Sequence, residues 1–299
     1  MRIKEWLPIL LLLILDLCLL REIRFFFFFF ITSGLYLIVL LPQKNSKKRR
    51  KYRDVYTIFS IIIGLWAFVT IYTELPNPAL YPSPVTILDL LIKDFPRFIT
   101  NFIVSMQIFG IGLGIALITG ITLGILIGLN ERLRSALSPY IKILGGVSPI
   151  AYIPYIIGIM PTFRTTSIFV IFFGTVWVIM KWTVYGVATI NPNIYTGARL
   201  GNTKKHYFIL EIVLPGTMPS ILEGASQAIS MGFAVLIAAE MIGSRNGLGF
   251  YIKYYADFLN YPKVITGIIY LGTSICLVTF FLDQLKRVLL KWQGKGDLS

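Results

Sequence analysis

The sequence is poor in the side chains that most enzymes use for chemistry. Its 299 residues include one histidine, His206, two cysteines, Cys18 and Cys276, and only 14 aspartates and glutamates. A single histidine excludes a two-histidine metal motif and argues against a histidine-based catalytic triad. Both cysteines lie in apolar runs, so neither a disulfide framework nor a cysteine metal site is indicated. We therefore expect no catalytic site, no metal site and no enzymatic activity.

A nucleotide-binding motif is also missing. No phosphate loop of the form G-x-x-x-x-G-K-[ST] occurs, and Gly294-Lys295-Gly296 near the end lacks both the spacing and the context of one. If the protein works against a gradient with ATP, another chain must bind the nucleotide.

Charged residues are scarce as well, at 14% against roughly a quarter in soluble domains. The chain is instead 56% apolar, with a mean hydropathy of +0.75. Runs of about 20 apolar residues can cross a bilayer as helices, whose backbone polar groups are satisfied internally. The sequence thus predicts an all-α, polytopic helical membrane protein. The predicted spans are about 6–20, 25–41, 55–72, 101–129, 141–159, 167–190, 221–241 and 264–282.

The N-terminal part allows two interpretations. Arg2 and Lys4 precede a short apolar run that Asp16 interrupts, as in a signal peptide. However, no small-x-small cleavage site follows Leu20, and a run of six phenylalanines begins soon afterwards. A retained membrane hairpin is favoured, so we divide the chain into an N-terminal hairpin with a basic linker (1–54) and a transmembrane domain (55–299).

Lysine and arginine are distributed unevenly between the predicted loops. With a cytosolic N-terminus, 19 of them fall inside, 8 fall outside, and Lys181 lies within a span. This positive-inside bias predicts that both termini are cytosolic. It also accounts for the net charge of +14 without nucleic acid, and the basic run at 44–53 is typical of an anchor on anionic lipid.

The loop at 196–220 is long and patterned for a connector between spans. It carries Arg199, Lys204 and Lys205 on its predicted cytosolic side. Its pattern predicts a helix, a stop at Leu214-Pro215, and a second short element. This loop is the strongest candidate for a surface that a cytosolic partner binds.

The span at 101–129 contains two sets of glycines at four-residue spacing. Such spacing lets helix backbones approach closely in a membrane. The two interpretations are packing within the chain and a seam that slides or opens during transport. The sets are Gly110 and Gly114, and Gly120, Gly124 and Gly128.

Three ionisable residues lie in or beside predicted spans, where a charge costs at least roughly 2.5 kcal/mol. Glu223 with Ser220 fits a capping box at the start of the next span. Lys181 lies about nine residues from the cytosolic end of its span, which is deep for simple snorkelling, so the interpretations are a snorkelling side chain and a water-filled path or interhelical pair. Glu240 could pair with Arg245 or bind a partner, and a role in structural orientation is favoured. Lys181 and Glu240 are our candidates for a translocation path.

The outer segment after the third span has a clear helix start. Ser83 is a candidate N-cap, and Pro84 follows at the first helical position.

Four pieces of the sequence, in order, resemble a known family. The chain is similar to the inner-membrane permease subunits of ATP-binding-cassette importers, in the sulfonate, taurine, nitrate and bicarbonate branch. The pieces are LYPSP at 80–84, VSPIAYIP at 147–154, the loop at 202–219, and AAEM at 238–241 followed by GLG at 247–249. The resemblance covers about residues 55–292.

The family's signature loop is present here in a divergent form. When the family's signature is aligned on the IVLP at 212–215, its Glu-Ala-Ala falls on Thr196-Gly197-Ala198 and its glycine falls on Asn202. Because Gly201 is next to Asn202, the register of this alignment is ambiguous by one residue. Threonine in place of glutamate removes a carboxylate that could pair with the ATPase. The resemblance implies coupling through Thr196, Gly197, Ala198, Arg199, Asn202, Lys204, Lys205, Leu214 and Pro215.

The resemblance also implies a mechanism and partners. Two permeases, expected to be a homodimer, would form the path for a small solute, expected to be an anion such as a sulfonate, nitrate or bicarbonate. Two separate ATPase subunits, carrying ATP and Mg²⁺, would receive the short helix near residues 198–205, and an extracytoplasmic solute-binding protein would deliver the substrate. The chain itself would bind no cofactor and would lie in a prokaryotic inner membrane. The family core has six spans, so the N-terminal hairpin is additional.

Two other classes of protein are considered. A gradient-driven secondary transporter or channel should show intramembrane carboxylates and inverted repeats. Asp16 and Glu240 are thin support for one, and no repeat is evident. A membrane-embedded enzyme is disfavoured because no cluster of histidine, cysteine or carboxylate residues occurs.

Overall fold

The structure is a computed structural model. It describes residues 54–55, 57–59, 61–63, 65–66, 69–70, 80–191, 193–194, 197 and 204–290, with Lys205 described by its backbone alone. The N-terminal hairpin and the basic run lie outside these residues, and so do Thr196, Ala198, Arg199 and Asn202 of the predicted coupling loop. Every regular element in the described part is helical, as the composition predicts. The division at residue 54 stays a prediction.

The described residues form two compact units, and each is described by itself. The first comprises residues up to Phe95 together with Tyr255–Thr266. It contains helix α1, Pro84–Lys93, whose predicted N-cap is confirmed because the Ser83 hydroxyl accepts a hydrogen bond from the Thr86 amide at 3.3 Å. In the same unit the Lys263 ammonium lies 3.2 Å from an Asp94 carboxylate oxygen.

The second unit comprises residues Pro96–Tyr254 and those from Gly267 onward. A 3₁₀ turn at Pro149–Tyr152, a helical turn at Lys205–Tyr207 and a π-helical turn at Phe208–Val213 join its longer helices. The helices after α1 are α2 (Phe95–Leu129), α3 (Glu131–Gly146), α4 (Ile153–Ile159), α5 (Phe163–Ala188), α6 (Leu214–Gly243), α7 (Leu248–Asp257) and α8 (Tyr261–Leu289).

Four described helices are long and apolar enough to cross a membrane, namely α2, α5, α8 and the continuous helix Phe208–Gly243. A fifth crossing forms if α3 and the segment Pro149–Ile159, bent by 77°, are one span. The predicted span at 141–159 is therefore not one continuous helix in the structure. The span begins ten residues earlier and breaks before Pro149, because the residue preceding a proline is driven out of the helical region, and Ser148 is extended here.

The predicted stop at Leu214-Pro215 is also wrong. The chain is helical from Lys205 without a break to the end of α6. Proline is tolerated in the first turn of an α-helix, and the π turn before Pro215 is wide, with the Leu214 amide bonding to the Ile209 carbonyl.

The predicted capping box fails for the same reason. Ser220 lies inside α6 rather than at its start. Glu223 is an exposed residue of α6, and its carboxylate lies 3.0 Å from the Lys286 ammonium of α8.

The centre of the second unit is the contact between α5 and α6. Four side chains in this region are almost wholly excluded from solvent: Ile171 and Ile179 of α5, and Phe233 and Leu236 of α6. Helix α2 lies against α5 in parallel. A Cβ on Gly124 would lie 2.6 Å from Thr183 Cβ, and one on Gly120 would lie 2.9 Å from Ile179 Cγ2. Only glycine permits this approach of the two backbones.

Candidate functional site

A basic cavity lies between α3 and α5. Its volume is about 420 Å³, and three cationic side chains line it: Arg134 and Lys142 from α3 and Lys181 from α5. The remaining wall is largely apolar and aromatic. It consists of Ser138, Ile141, Trp182, Val184, Tyr185 and Ala188. We call this space the α3–α5 cavity.

Helical periodicity explains why these residues meet. On α3 the lining positions are 134, 138, 141 and 142, and on α5 they are 181, 182, 184, 185 and 188. Each set recurs at intervals of three or four residues, so each occupies one helix face. The two faces oppose each other across the cavity.

The three cations lie at different depths along the helices. Arg134 is in the first turn of α3, at the junction with α2. Lys142 lies roughly 16 Å along α3, and Lys181 lies roughly 10 Å before α5 ends, at a rise of about 1.5 Å per residue. The cavity thus extends along both helices, away from the start of α3 and the end of α5.

Little negative charge opposes these cations. The Arg134 guanidinium lies 4.0 Å from a Glu131 carboxylate that is 91% exposed, which is a weak contact. In the part of the chain that the structure describes, Lys142 and Lys181 make no ion pair and no side-chain hydrogen bond. Among the described residues, the positive charge of the cavity is therefore largely uncompensated.

The aromatic wall is held in place by its neighbours. The Trp182 indole N–H donates to the Gln227 side-chain oxygen of α6 at 2.7 Å. Gly224 lies directly behind this ring, since a Cβ there would be 2.7 Å from Trp182 Cβ. Chemically, the cavity can bind an anion, but none of its lining groups is a carboxylate or an imidazole that could transfer a proton at neutral pH.

Glu240, the second residue predicted for the path, lies elsewhere and is enclosed. It is 1% exposed, and its carboxylate accepts hydrogen bonds from the Ser105 hydroxyl at 2.6 Å and the Gly249 amide at 2.8 Å. Ser105 in turn accepts from the Leu248 amide at 2.9 Å, and Asn101 accepts from the Gly247 amide at 3.1 Å. This cluster, which we call the Glu240 network, joins α2, α6 and the start of α7.

Glycine is required at position 247, where the segment between α6 and α7 passes the Glu240 carboxylate. Gly247 has a φ of +120°, and a Cβ there would touch a Glu240 carboxylate oxygen. The described residues contain no ion pair between Glu240 and Arg245, so that expectation is not met. The AAEM and GLG pieces of the sequence are thus parts of one structural unit.

The remaining predicted residues are distributed as follows. Gly128, like Gly120 and Gly124, lies against α5, whereas a Cβ on Gly110 or Gly114 would meet no atom within 4 Å. In the coupling loop Gly197 and Lys204 are exposed. Leu214 and Pro215 are half-buried within the long helix rather than in a loop.

Several important residues were not identified from the sequence. Asn101 and Ser105 are polar residues four apart in an apolar span, and this spacing could have identified them as one polar face. Arg134 and Lys142 were counted only as topology signals. They are eight residues apart, which is about two helical turns, so they lie on the same face of a helix. This spacing was the available sign that both could line one surface.

Comparisons with known proteins agree with this architecture. Residues 120–292 match the family of binding-protein-dependent transport system inner membrane components. A bicarbonate transport system permease protein of Synechococcus elongatus is 33% identical over 60% of this chain and 65% of its own length, just under two thirds. A nitrate import permease protein of Leptolyngbya laminosa is 31% identical over 72% of this chain and 79% of its own length. The taurine transport system permease protein of Escherichia coli is 26% identical over 80% and 89%.

Solved structures share the fold at low sequence identity. The inward-facing MetNI methionine ABC transporter aligns with a TM-score of 0.57 at 16% identity, over 68% of this chain and 97% of the solved one. An amino acid ABC transporter aligns with a TM-score of 0.53, over 67% and 97%. With the helical membrane architecture and the matched segment, these findings show that the chain belongs to the family of binding-protein-dependent transport system inner membrane components.

Proposed function

We propose that the chain is the membrane-spanning permease subunit of an ATP-driven importer for a small anion. Family membership supports the importer, and the names of the bicarbonate, nitrate and taurine relatives support a substrate with an acidic group. The uncompensated charge of the α3–α5 cavity is compatible with the same class of substrate.

The observation that carries this proposal is the unbroken helix from Lys205 to Gly243. It begins at Lys205, within the predicted coupling loop of 196–220, and extends roughly 55 Å, at about 1.5 Å per residue. Along its length it packs on α5, the helix that leads into the same loop. A force applied at the loop would therefore reach both central helices of the unit, whereas a helix stopped at Pro215 would transmit it poorly.

The partners follow from the same reasoning. Because the sequence has no phosphate loop, ATP and Mg²⁺ belong to separate ATPase subunits that bind the 196–205 region. An extracytoplasmic solute-binding protein delivers the substrate, and a second copy of the chain completes the path. The positive-inside bias supports a cytosolic location of both termini and of the coupling loop.

The test is reconstitution of the permease in proteoliposomes with the ATPase and binding protein encoded beside it. We expect ATP-dependent uptake of labelled nitrate, bicarbonate or taurine. Replacing residues 198–205 by a Gly/Ser segment of equal length should abolish uptake and stimulation of ATP hydrolysis by the binding protein, whereas Lys204→Arg should preserve both. Uptake that needs an ion gradient but no ATPase would refute the proposal and favour a secondary transporter.

A further inference from the structure

The two lysines of the α3–α5 cavity are unusual for membrane-spanning helices. Lys142 and Lys181 are exposed, and among the described residues they have no carboxylate partner. A charge facing lipid at depth costs at least about 2.5 kcal/mol on insertion scales. Two such groups and Arg134 on facing helix surfaces are therefore expected to face water or a bound anion.

The cavity also has a suitable size and chemistry for a small anion. Its volume of about 420 Å³ lies in the range of ligand pockets and leaves room for a small oxyanion with several waters, each of roughly 30 Å³. The lysines supply flexible point charges, whereas the Arg134 guanidinium offers a planar fork that matches the oxygens of a carboxylate, nitrate or sulfonate. The weak contact with Glu131 leaves this fork available.

The order of the cations suggests a direction. Lys142 and Lys181 lie deeper along their helices, and Arg134 lies near the helix ends that adjoin the coupling loop. We propose that the α3–α5 cavity is a transit site for the transported anion, which passes from Lys142 and Lys181 to Arg134 on its way to the cytosol. This inference rests on the proposed import of a small anion.

Trp182 allows the site to be tested directly, because its ring lines the cavity and is held by Gln227. The probe is iodide, an anionic quencher of tryptophan fluorescence, added to the full-length permease in nanodiscs of zwitterionic lipid. We expect a saturable component of quenching that Trp182→Phe removes. Lys142→Gln and Lys181→Gln should each weaken its apparent affinity about threefold or more, which corresponds to a Coulomb attraction over about 6 Å in water.

The controls separate a site from a general surface potential. Arg132→Gln removes a cation from the same helix outside the cavity and should leave the saturable component unchanged. Lys181→Arg should retain it, and quenching by neutral acrylamide should be the same in all variants that fold. Arg134→Gln provides a third cavity variant if either lysine variant does not fold.

Three outcomes would overturn the inference. They are linear quenching without saturation, an equal loss in Arg132→Gln, and a loss of the iodide component in nanodiscs containing phosphatidylglycerol that persists when added iodide offsets the negative surface potential. The last outcome would assign the cavity to a lipid headgroup. The iodide titration needs neither ATPase nor ATP, so its result does not depend on whether the protein is an ATP-driven importer. A saturable component in a protein that shows no ATP-dependent uptake would refute the proposed function and leave an anion site.

Discussion

Substitution of Ser105 by alanine tests whether the Glu240 network holds the start of α7. The Ser105 hydroxyl is fully buried and has two partners, donating to the Glu240 carboxylate at 2.6 Å and accepting from the Leu248 amide at 2.9 Å. Alanine removes this one oxygen and little volume. The effect should therefore come from the lost hydrogen bonds and only slightly from a cavity.

The expected magnitude follows from those two bonds. A hydrogen bond contributes about 0.5–1.5 kcal/mol, and a buried amide left without a partner costs about 1–3 kcal/mol. Some relaxation of the loop is expected, so we take about 3 kcal/mol as the decrease in the free energy of local opening at residues 247–249. That decrease corresponds to roughly 150-fold faster amide exchange, at about 1.4 kcal/mol per factor of ten.

Hydrogen–deuterium exchange of the full-length protein in nanodiscs measures this quantity directly. Peptides covering Gly247–Gly249 should exchange faster in Ser105→Ala, while peptides from the middle of α5 should not change. The matched control is Ser135→Ala, because that hydroxyl is exposed and bonds only to a carbonyl of its own helix. A change below threefold at 247–249, or an equal change throughout α6, would refute the assignment of Ser105 as the link between α2 and α7.

Three further predictions concern glycine contacts and a surface ion pair. Gly124→Val should lower the free energy of unfolding by about 1–3 kcal/mol, because its Cβ would overlap Thr183. The control Gly114→Val should cost much less, since a Cβ at Gly114 meets no atom within 4 Å. Equal shifts in the thermal midpoint of the two variants would contradict this packing. Gly247→Ala should lower the free energy of unfolding by about 1–3 kcal/mol, because position 247 has a positive φ. It should also speed hydrogen–deuterium exchange at the same amides as Ser105→Ala, and unchanged exchange would argue against strain at this position. Lys286→Gln should lower the free energy of unfolding by less than about 1 kcal/mol, since the Glu223 side chain that pairs with Lys286 is 61% exposed. This loss should be smaller in high salt, and a larger loss that does not depend on salt would indicate a buried pair.

The spans at α2, α5 and α8 could be predicted from the sequence to within several residues of each end. Their apolar runs are long and bounded by polar residues, with Lys181 the one charge inside the run of α5, and these are local properties of the chain. The starts of α3 and α6 could not be predicted in the same way. Proline was taken as a stop at Leu214-Pro215, yet its effect depends on the backbone around it, and the π turn upstream allows the helix to continue.

The candidate site was predictable only in part. Lys181 was identified because a charge in an apolar span is costly and therefore informative. Its companions Arg134 and Lys142 lie about 40 residues away on another helix, and their charges had an ordinary explanation as topology signals. Glu240 was identified for the same reason as Lys181, but its partner Ser105 is far away in sequence, as is Asn101, which holds the neighbouring Gly247 amide, and these contacts place Glu240 in a structural network.

Membrane residence, helical class and the absence of a nucleotide motif are thus specified by composition and by local sequence, because hydropathy and loop charge act over a single span. Contacts between spans depend on helix packing, which composition does not specify. Packing encloses the carboxylate of Glu240 among amides and hydroxyls of three helices, and it leaves Lys181 open beside two other cations. Two residues that appear alike in the sequence, each a lone charge in a hydrophobic helix, therefore have different surroundings and different expected roles.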